Sequence, residues 1–295
     1  TVMDVVGFMG GKFGYETFLS PFTWRYGSEE MRRIFSEVEY RATWRRIWAA
    51  LAEAQAECGL ISRKELAEIK SKADREHVDI ELAHRLEREI KHDLMAELKV
   101  FARQCPKGGG KLHLGATSAD IEDNADVLRM REALDLVLTR LVNCLHSLSK
   151  RIEEYKSFPC MGWTHLQPAE PTTLGYRFAF YAQDLLMDIK NVEDLATAFL
   201  RGKGIKGVVG VSAGFKELLK GKRMKPKDLE SRVMSKLGLR AFTISTQTYP
   251  RKLDFLVLSV LAGIGQSVHK FGVDVRHLQS PVWGEFSEPI GKALS

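Results

Sequence analysis

Apolar residues recur at helical spacing along most of the chain. Between 120 and 156 they fall at Val127, Met130, Leu134, Val137, Leu141, Leu145, Leu148, Ile152 and Tyr155, in steps of three and four. Between 176 and 201 the same steps join Phe178, Tyr181, Leu185, Ile189, Val192, Leu195 and Phe199. That spacing gathers side chains into a stripe on one face of an α-helix. Both runs are longer than the roughly 11–12 residues of an average globular helix. They predict a bundle whose helices bury one stripe on each other and a second on a partner subunit. Further helices are predicted at 28–59, 64–72, 79–104, 226–237 and from about 250 to 280. The first opens on Ser28 followed by Glu29 and Glu30, a serine cap with acids in the first turn. Strand-like alternation is almost absent, so the predicted fold class is all-α.

Breaks in the pattern divide the chain. Residues 1–19 are glycine-rich without periodicity and read as a loose tail. The stretch CPKGGGKLHLGATS (105–118) interrupts the helices and marks a boundary. It separates an N-terminal helical domain, 20–114, from a long-helix bundle, 115–295. A second glycine-rich loop, RGKGIKGVVGVSAG (201–214), separates two helices, and its order is not that of a Walker phosphate loop.

Composition narrows the class. Hydrophobic residues make up 44% and charged residues 28% of the 295, as in an ordinary soluble globular protein. The most apolar run, FLVLSVLAGIG (255–265), is too short to span a bilayer and reads as a buried helix. There is no basic-then-apolar leader pattern at the start. Cys58, Cys105, Cys144 and Cys160 are widely spaced with no CxxC pair, which predicts a reducing, cytoplasmic setting and neither a zinc site nor a disulfide framework. The histidines form no HxxxH pair, and no metal or cofactor is expected. The net charge of +6 raises nucleic acid as a partner. However, basic and acidic residues alternate along helices, as in KRIEEYK (150–156), which favours a solvated surface and a small anionic substrate.

Three polar stretches exceed what a bundle needs. In GATSADIEDN (115–124), Thr117 and Ser118 precede a helix whose first turn holds Asp120, Glu122 and Asp123. The plainer reading is a cap with acids suiting the helix dipole; the free N–H groups of a helix start are also a ready carboxylate site. In GWTHLQPAEPTTLG (162–175), Pro168 and Pro171 stiffen the chain, placing Thr164 and His165 on a rigid loop just before a helix. A lone histidine there is more commonly structural than catalytic. In EIKHDLMAE (89–97), Lys91, His92 and Asp93 fall near the middle of a helix, where a charged solvent face is the plainer reading.

Taken together and in order, SPFTWRYGS (20–28), KHDLMAE (91–97), HLGATS (113–118), THLQPAEPTTLG (164–175) and TQTYPRKLD (246–254) resemble the sequence blocks of the fumarase/aspartase superfamily. Within it they are most similar to the adenylosuccinate lyase branch. The resemblance implies a fumarate-releasing β-elimination that breaks a C–N bond. In purine biosynthesis that reaction converts adenylosuccinate to AMP and the succinyl-carboxamide ribotide to its carboxamide. It implies His165 as general acid, a task suited to an imidazole with an ordinary pKa of about 6.5. It implies His92 as a second histidine, with Lys91 and Asp93 beside it. Arg25 and Tyr26 match a phosphate-contacting pair, Thr117 and Ser118 the residues holding the succinyl carboxylate, and Thr164 and Gln247 further substrate contacts. It implies a homotetramer whose active sites draw on three subunits, and no partnership with nucleic acid or membrane.

There are departures from the family pattern. Val208, Val209 and Val211 stand where the family has threonines. The family's third signature, a GSSxMPxKxN loop carrying a serine base, would follow FSEPIGKALS at the end of these residues. Ser295 lacks the MPxK context and is not read as that base. The expectation is therefore part of a longer active lyase. The alternatives are another fumarate-releasing lyase of the superfamily or a shortened, non-catalytic helical scaffold.

Overall fold

The computed structural model describes Ser20 and residues 22–287. The predicted N-terminal tail, 1–19, lies outside the described residues. The main elements after a short turn of helix at Phe22–Tyr26 are α1 (Glu29–Ile34), α2 (Glu37–Glu57), α3 (Arg63–Ser71), α4 (Ile80–Ile90), α5 (Asp93–Gln104), α6 (Ser118–Tyr155), β1 (Pro159–Thr164), β2 (Gln167–Thr173), α7 (Leu174–Asp194), α8 (Ala213–Leu218), α9 (Pro226–Lys236) and α10 (Lys252–Leu278). Contacts divide the chain into two compact units, neither of them continuous in sequence. One comprises residues to Ala133 with Arg201–Tyr249, and the other Leu134–Leu200 with the residues from Pro250. This division falls inside α6, between Ala133 and Leu134.

Helix ends follow local chemistry. Ser28, Ser36 and Ser62 each accept a backbone N–H three residues on, which starts α1, α2 and α3. The single helix expected at 28–59 is interrupted because Ser36 caps a new start. The helix expected at 79–104 also breaks: Lys91 adopts φ 56°, ending α4, and α5 begins at Asp93.

The core of the first unit forms around α2. Trp44, Ile47, Trp48 and Leu51 are buried. So are Arg41 and Arg45, whose guanidiniums bind the buried Glu97 of α5 at 3.4 and 2.6 Å. In the second unit the predicted stripe is buried at Tyr181, Leu185 and Val192 on α7 and at Leu195 just after it, whereas Phe199 is exposed. Gly175 allows α7 to touch α6, since a Cβ there would sit 2.6 Å from the backbone of Ile152 and Lys156. The run 255–265 belongs to a 27-residue helix, α10, which is long and apolar enough to cross a membrane by length and composition alone. The expectation that it is short and buried is thus corrected: Phe255, Leu258 and Val268 are exposed on this chain.

Candidate functional site

In the first unit, the segment leading into α6 is pinned before it reaches the helix. Trp48 Nε1 donates to His113 Nδ1 at 2.9 Å, and Gln55 Nε2 donates to the Leu114 carbonyl at 2.8 Å. Gly115 turns the chain at φ 81°. A side chain there would meet Leu218 at 2.5 Å and Phe215 at 2.9 Å, so only glycine fits. Thr117 then donates its N–H to Asp120 Oδ2 at 3.0 Å, and Ser118 begins α6.

The acids of this first turn do more than suit the helix dipole. Asp120 is fully buried and paired with the buried Lys203. Its carboxylate also accepts the N–H groups of Lys206 at 3.0 Å and Gly207 at 3.0 Å. Asn124 clasps Gly204 from both sides, accepting its N–H at 3.2 Å and donating to its carbonyl at 3.0 Å. Asp123 accepts the N–H of Tyr249 at 2.7 Å, which fixes the loop carrying Gln247. Sequence reasoning missed these roles. Periodicity places acids on a helix but cannot show that a distant loop brings bare N–H groups to them. The four buried or half-buried polar positions in succession, Asp120 to Asn124 interrupted only by Ile121, were the available signal.

Lys91, His92 and Asp93 stand at the junction of α4 and α5, with Asp93 the first residue of α5, not near the middle of a helix. The left-handed turn at Lys91 leaves His92 as the first residue before α5. His92 Nε2 lies 3.3 Å from Ser118 Oγ, and its Nδ1 lies 3.5 Å from Asp93 Oδ1. Lys91, His92 and Asp93 line an open cavity of about 530 Å³ with His84, Glu87 and Arg88. Glu122, one helical turn after Ser118, is half-buried. Burial first, and the nearby Asp93 second, push its carboxyl up to about 7, against the opposing pull of His92. The structure therefore brings His92, Asp93, Thr117 and Ser118 together and adds Glu122.

Arg25 and Tyr26 are exposed in the opening turn, with the guanidinium 5.7 Å from the phenol ring centre. Arg32 holds that turn by donating to the Gly27 carbonyl at 2.6 Å. Gln247 is exposed between Thr246 and the anchored Tyr249.

Thr164 and His165 belong to the second unit. The rigid pre-helical loop expected there is a β-hairpin: β1 and β2 pair antiparallel from Pro159↔Thr173 to Thr164↔Gln167. The prolines are accommodated because this two-stranded ribbon has open edges on both sides. Its two-residue turn is His165–Leu166, with φ 52° and 60°. That geometry normally selects Asn and Gly, and it costs an L-residue about 1–2 kcal/mol per position. His165 is exposed at the tip and, with Thr164, lines a cavity of about 770 Å³ that also holds Arg177, Tyr181, Asp274 and His277. The hairpin is braced from below. Trp163 Nε1 donates to Glu285 at 2.7 Å, and Arg177 pairs with Glu285 and donates to the Met161 carbonyl at 2.5 Å.

A family model described as Lyase matches residues 25–293. This chain belongs to that lyase family. It is similar to the adenylosuccinate lyase of Schistosoma mansoni, with 39% identity over 94% of this chain and 57% of the relative. It is also similar to the adenylosuccinate lyase of Saccharomyces cerevisiae, with 36% identity over 95% of this chain and 58% of the relative. This lyase chain therefore spans somewhat less than three-fifths of the length of the curated relatives it matches. Among solved structures, the 3-carboxy-cis,cis-muconate lactonizing enzyme of Pseudomonas putida superposes with TM-score 0.79 and 26% identity, over 89% of this chain and 59% of that one. A fumarate lyase from Mesorhizobium sp. BNC1, at 24% identity and TM-score 0.78 over 88% of this chain and 59% of that one, shares the fold. The all-α bundle class is that of these lyases; among the described residues of this chain the hairpin is the one β-sheet.

Proposed function

We propose that the chain is the acid-bearing part of an adenylosuccinate lyase, which cleaves adenylosuccinate to AMP and fumarate and the succinyl-carboxamide ribotide likewise. The observation carrying this reading is His165, exposed at the tip of a braced hairpin in two successive left-handed residues. A backbone cost retained at one side chain points to a positional requirement. The named relatives supply the substrate class.

In this reading the reaction removes a proton from the carbon beside a succinyl carboxylate, and the C–N bond electrons leave with nitrogen. His165 protonates that nitrogen as it departs. Thr117 and Ser118, at the start of α6, hold the carboxylate with hydroxyls and helix N–H groups. His92 orients the Ser118 hydroxyl across their 3.3 Å contact. Arg25 and Tyr26 take the nucleotide phosphate, and Thr164, Gln247, Lys91 and Asp93 complete the contacts. The base comes from the family's signature loop, which these 295 residues do not include.

Self-association into a homotetramer is part of the proposal. Met187 and Leu186 on α7 and Phe255, Leu258 and Val268 on α10 are exposed, the kind of apolar surface that subunit contact removes from water. Lys270 on α10 reaches Asp184 at 3.4 Å, and Asp274 accepts from Tyr181. Such charged groups along α10 favour a partner helix over lipid as its neighbour. Four unpaired cysteines support a reducing, cytoplasmic setting.

The test is fumarate release from adenylosuccinate by these 295 residues and by a chain extended through the signature loop. Activity only in the extended form supports the proposal. Activity in neither, despite ligand binding, favours the non-catalytic scaffold.

A further inference from the structure

The alternation of basic and acidic residues gives way to a basic excess in several stretches, most densely at 216–227. From Lys216 to Lys227 there are six cations against one carboxylate, a local charge of +5 in a chain whose total is +6. The fold gathers this segment around one cleft. Lys216, Lys220, Lys222, Lys225 and Lys227 line a cavity of about 1250 Å³ and are all exposed. Lys220 faces Glu217 at 3.4 Å across solvent, and the other four make no ion pair with any described residue. Glu230 is the one carboxylate lining the cleft, and it is already engaged by Lys206 at 2.5 Å and the Ile205 N–H at 3.2 Å. Between the lysines the surface is largely apolar: Val211, Met224, Pro226, Ala241 and Phe242 reach it, over buried Leu219, Met234 and Leu239, with Ser212, Ser231, Ser235 and Thr243 among them.

We propose that this cleft docks an acidic, amphipathic segment of a partner protein. Three features of the cleft select that occupant. Its size exceeds the roughly 300–1,000 Å³ of small-ligand sites, and the volume accommodates about two turns of a helix 10–12 Å wide. The lysine rim, unpaired except at Lys220, is complementary to carboxylates and steers their approach. The apolar floor, with adaptable Met224, takes the alternate face of the same segment. A phosphate polymer matches the rim but leaves the floor unused. Phe242, half-buried, is also the only aromatic lining the cleft, where base stacking needs open ring faces. The inference is independent of the lyase reading, since it uses none of the residues assigned to that reaction.

The test is fluorescence anisotropy with the whole chain and a labelled helical peptide of about 16 residues, glutamate on one face and leucine on the other. Binding in the micromolar range that weakens as salt rises is expected. The triple variant Lys222→Glu, Lys225→Glu, Lys227→Glu should weaken it at least about tenfold. Met224→Ser should weaken it several-fold, with both variants keeping wild-type circular dichroism. No binding, equal binding of a peptide with the same residues scrambled out of phase, or full affinity in the triple variant would each overturn the proposal. Tighter binding of a single-stranded oligouridylate than of the peptide would overturn it in favour of a nucleic-acid surface.

Discussion

Ser118 Oγ lies 3.3 Å from His92 Nε2, joining the first residue of a 38-residue helix to a histidine 26 positions earlier. The left-handed break at Lys91 makes this contact possible by releasing His92 from helix geometry. Replacing His92 with glutamine, which keeps a hydrogen-bonding group, is expected to retain more activity in an extended chain than replacing it with alanine. A steady-state comparison of the two decides it: equal losses would mean that the Ser118 contact does not matter.

His165→Ala in the extended chain should lower kcat by about 100- to 10,000-fold, the range of a lost general acid. Helicity should be unchanged, because the side chain is exposed at the hairpin tip. Near-normal fumarate release would remove His165 from the mechanism.

Arg25→Ala should act mainly on binding. Loss of one charge-assisted contact to phosphate, about 1.5–3 kcal/mol, raises the apparent KM by about tenfold or more with little change in kcat. An unchanged KM would show that Arg25 does not meet the phosphate.

Glu122 gives the fold a pH dependence of known sign. Its carboxyl is raised from about 4.5 to about 7 by burial and by Asp93, so the folded state holds that proton more tightly than the unfolded chain. Its stabilising effect is complete below about pH 4.5 and is lost as pH rises through about 7. Asp123 and Asp126 on its own helix push the same way, and His92 opposes. Glu122→Gln should therefore raise Tm more at about pH 8 than at about pH 5. A Tm difference independent of pH would contradict the assignment.

Asp120 and Lys203 are a buried pair, and removing one partner strands the other. Asp120→Ala should cost about 3–5 kcal/mol in urea unfolding. Adding Lys203→Ala should recover part of that loss. Strictly additive losses would mean that the two side chains are not coupled.

How much of this was legible in advance depends on the range of the interaction. The stripes at Leu134, Leu141, Tyr181, Leu185 and Val192 were readable because helical hydrogen bonds and side-chain spacing are local. The break at Lys91 was not, because nothing local forbids lysine from continuing a helix. The hairpin at 159–173 was hidden by its prolines and by a turn sequence, His-Leu, that ordinarily avoids left-handed backbone. Resemblance pointed to the polar residues of the candidate site but not to their support.

The sequence alone determined the helical class, the helix start at Ser28, the segments of the candidate site, and the surplus of lysine at 216–227. Each follows from residues within one or two turns of each other. Tertiary structure decided that Asp120, Asp123 and Asn124 hold loops more than 75 residues away. It placed His92 against Ser118, set His165 on a hairpin tip, and turned the lysines toward one apolar cleft. Those outcomes depend on which buried polar groups find partners, and burial is settled only when distant segments pack.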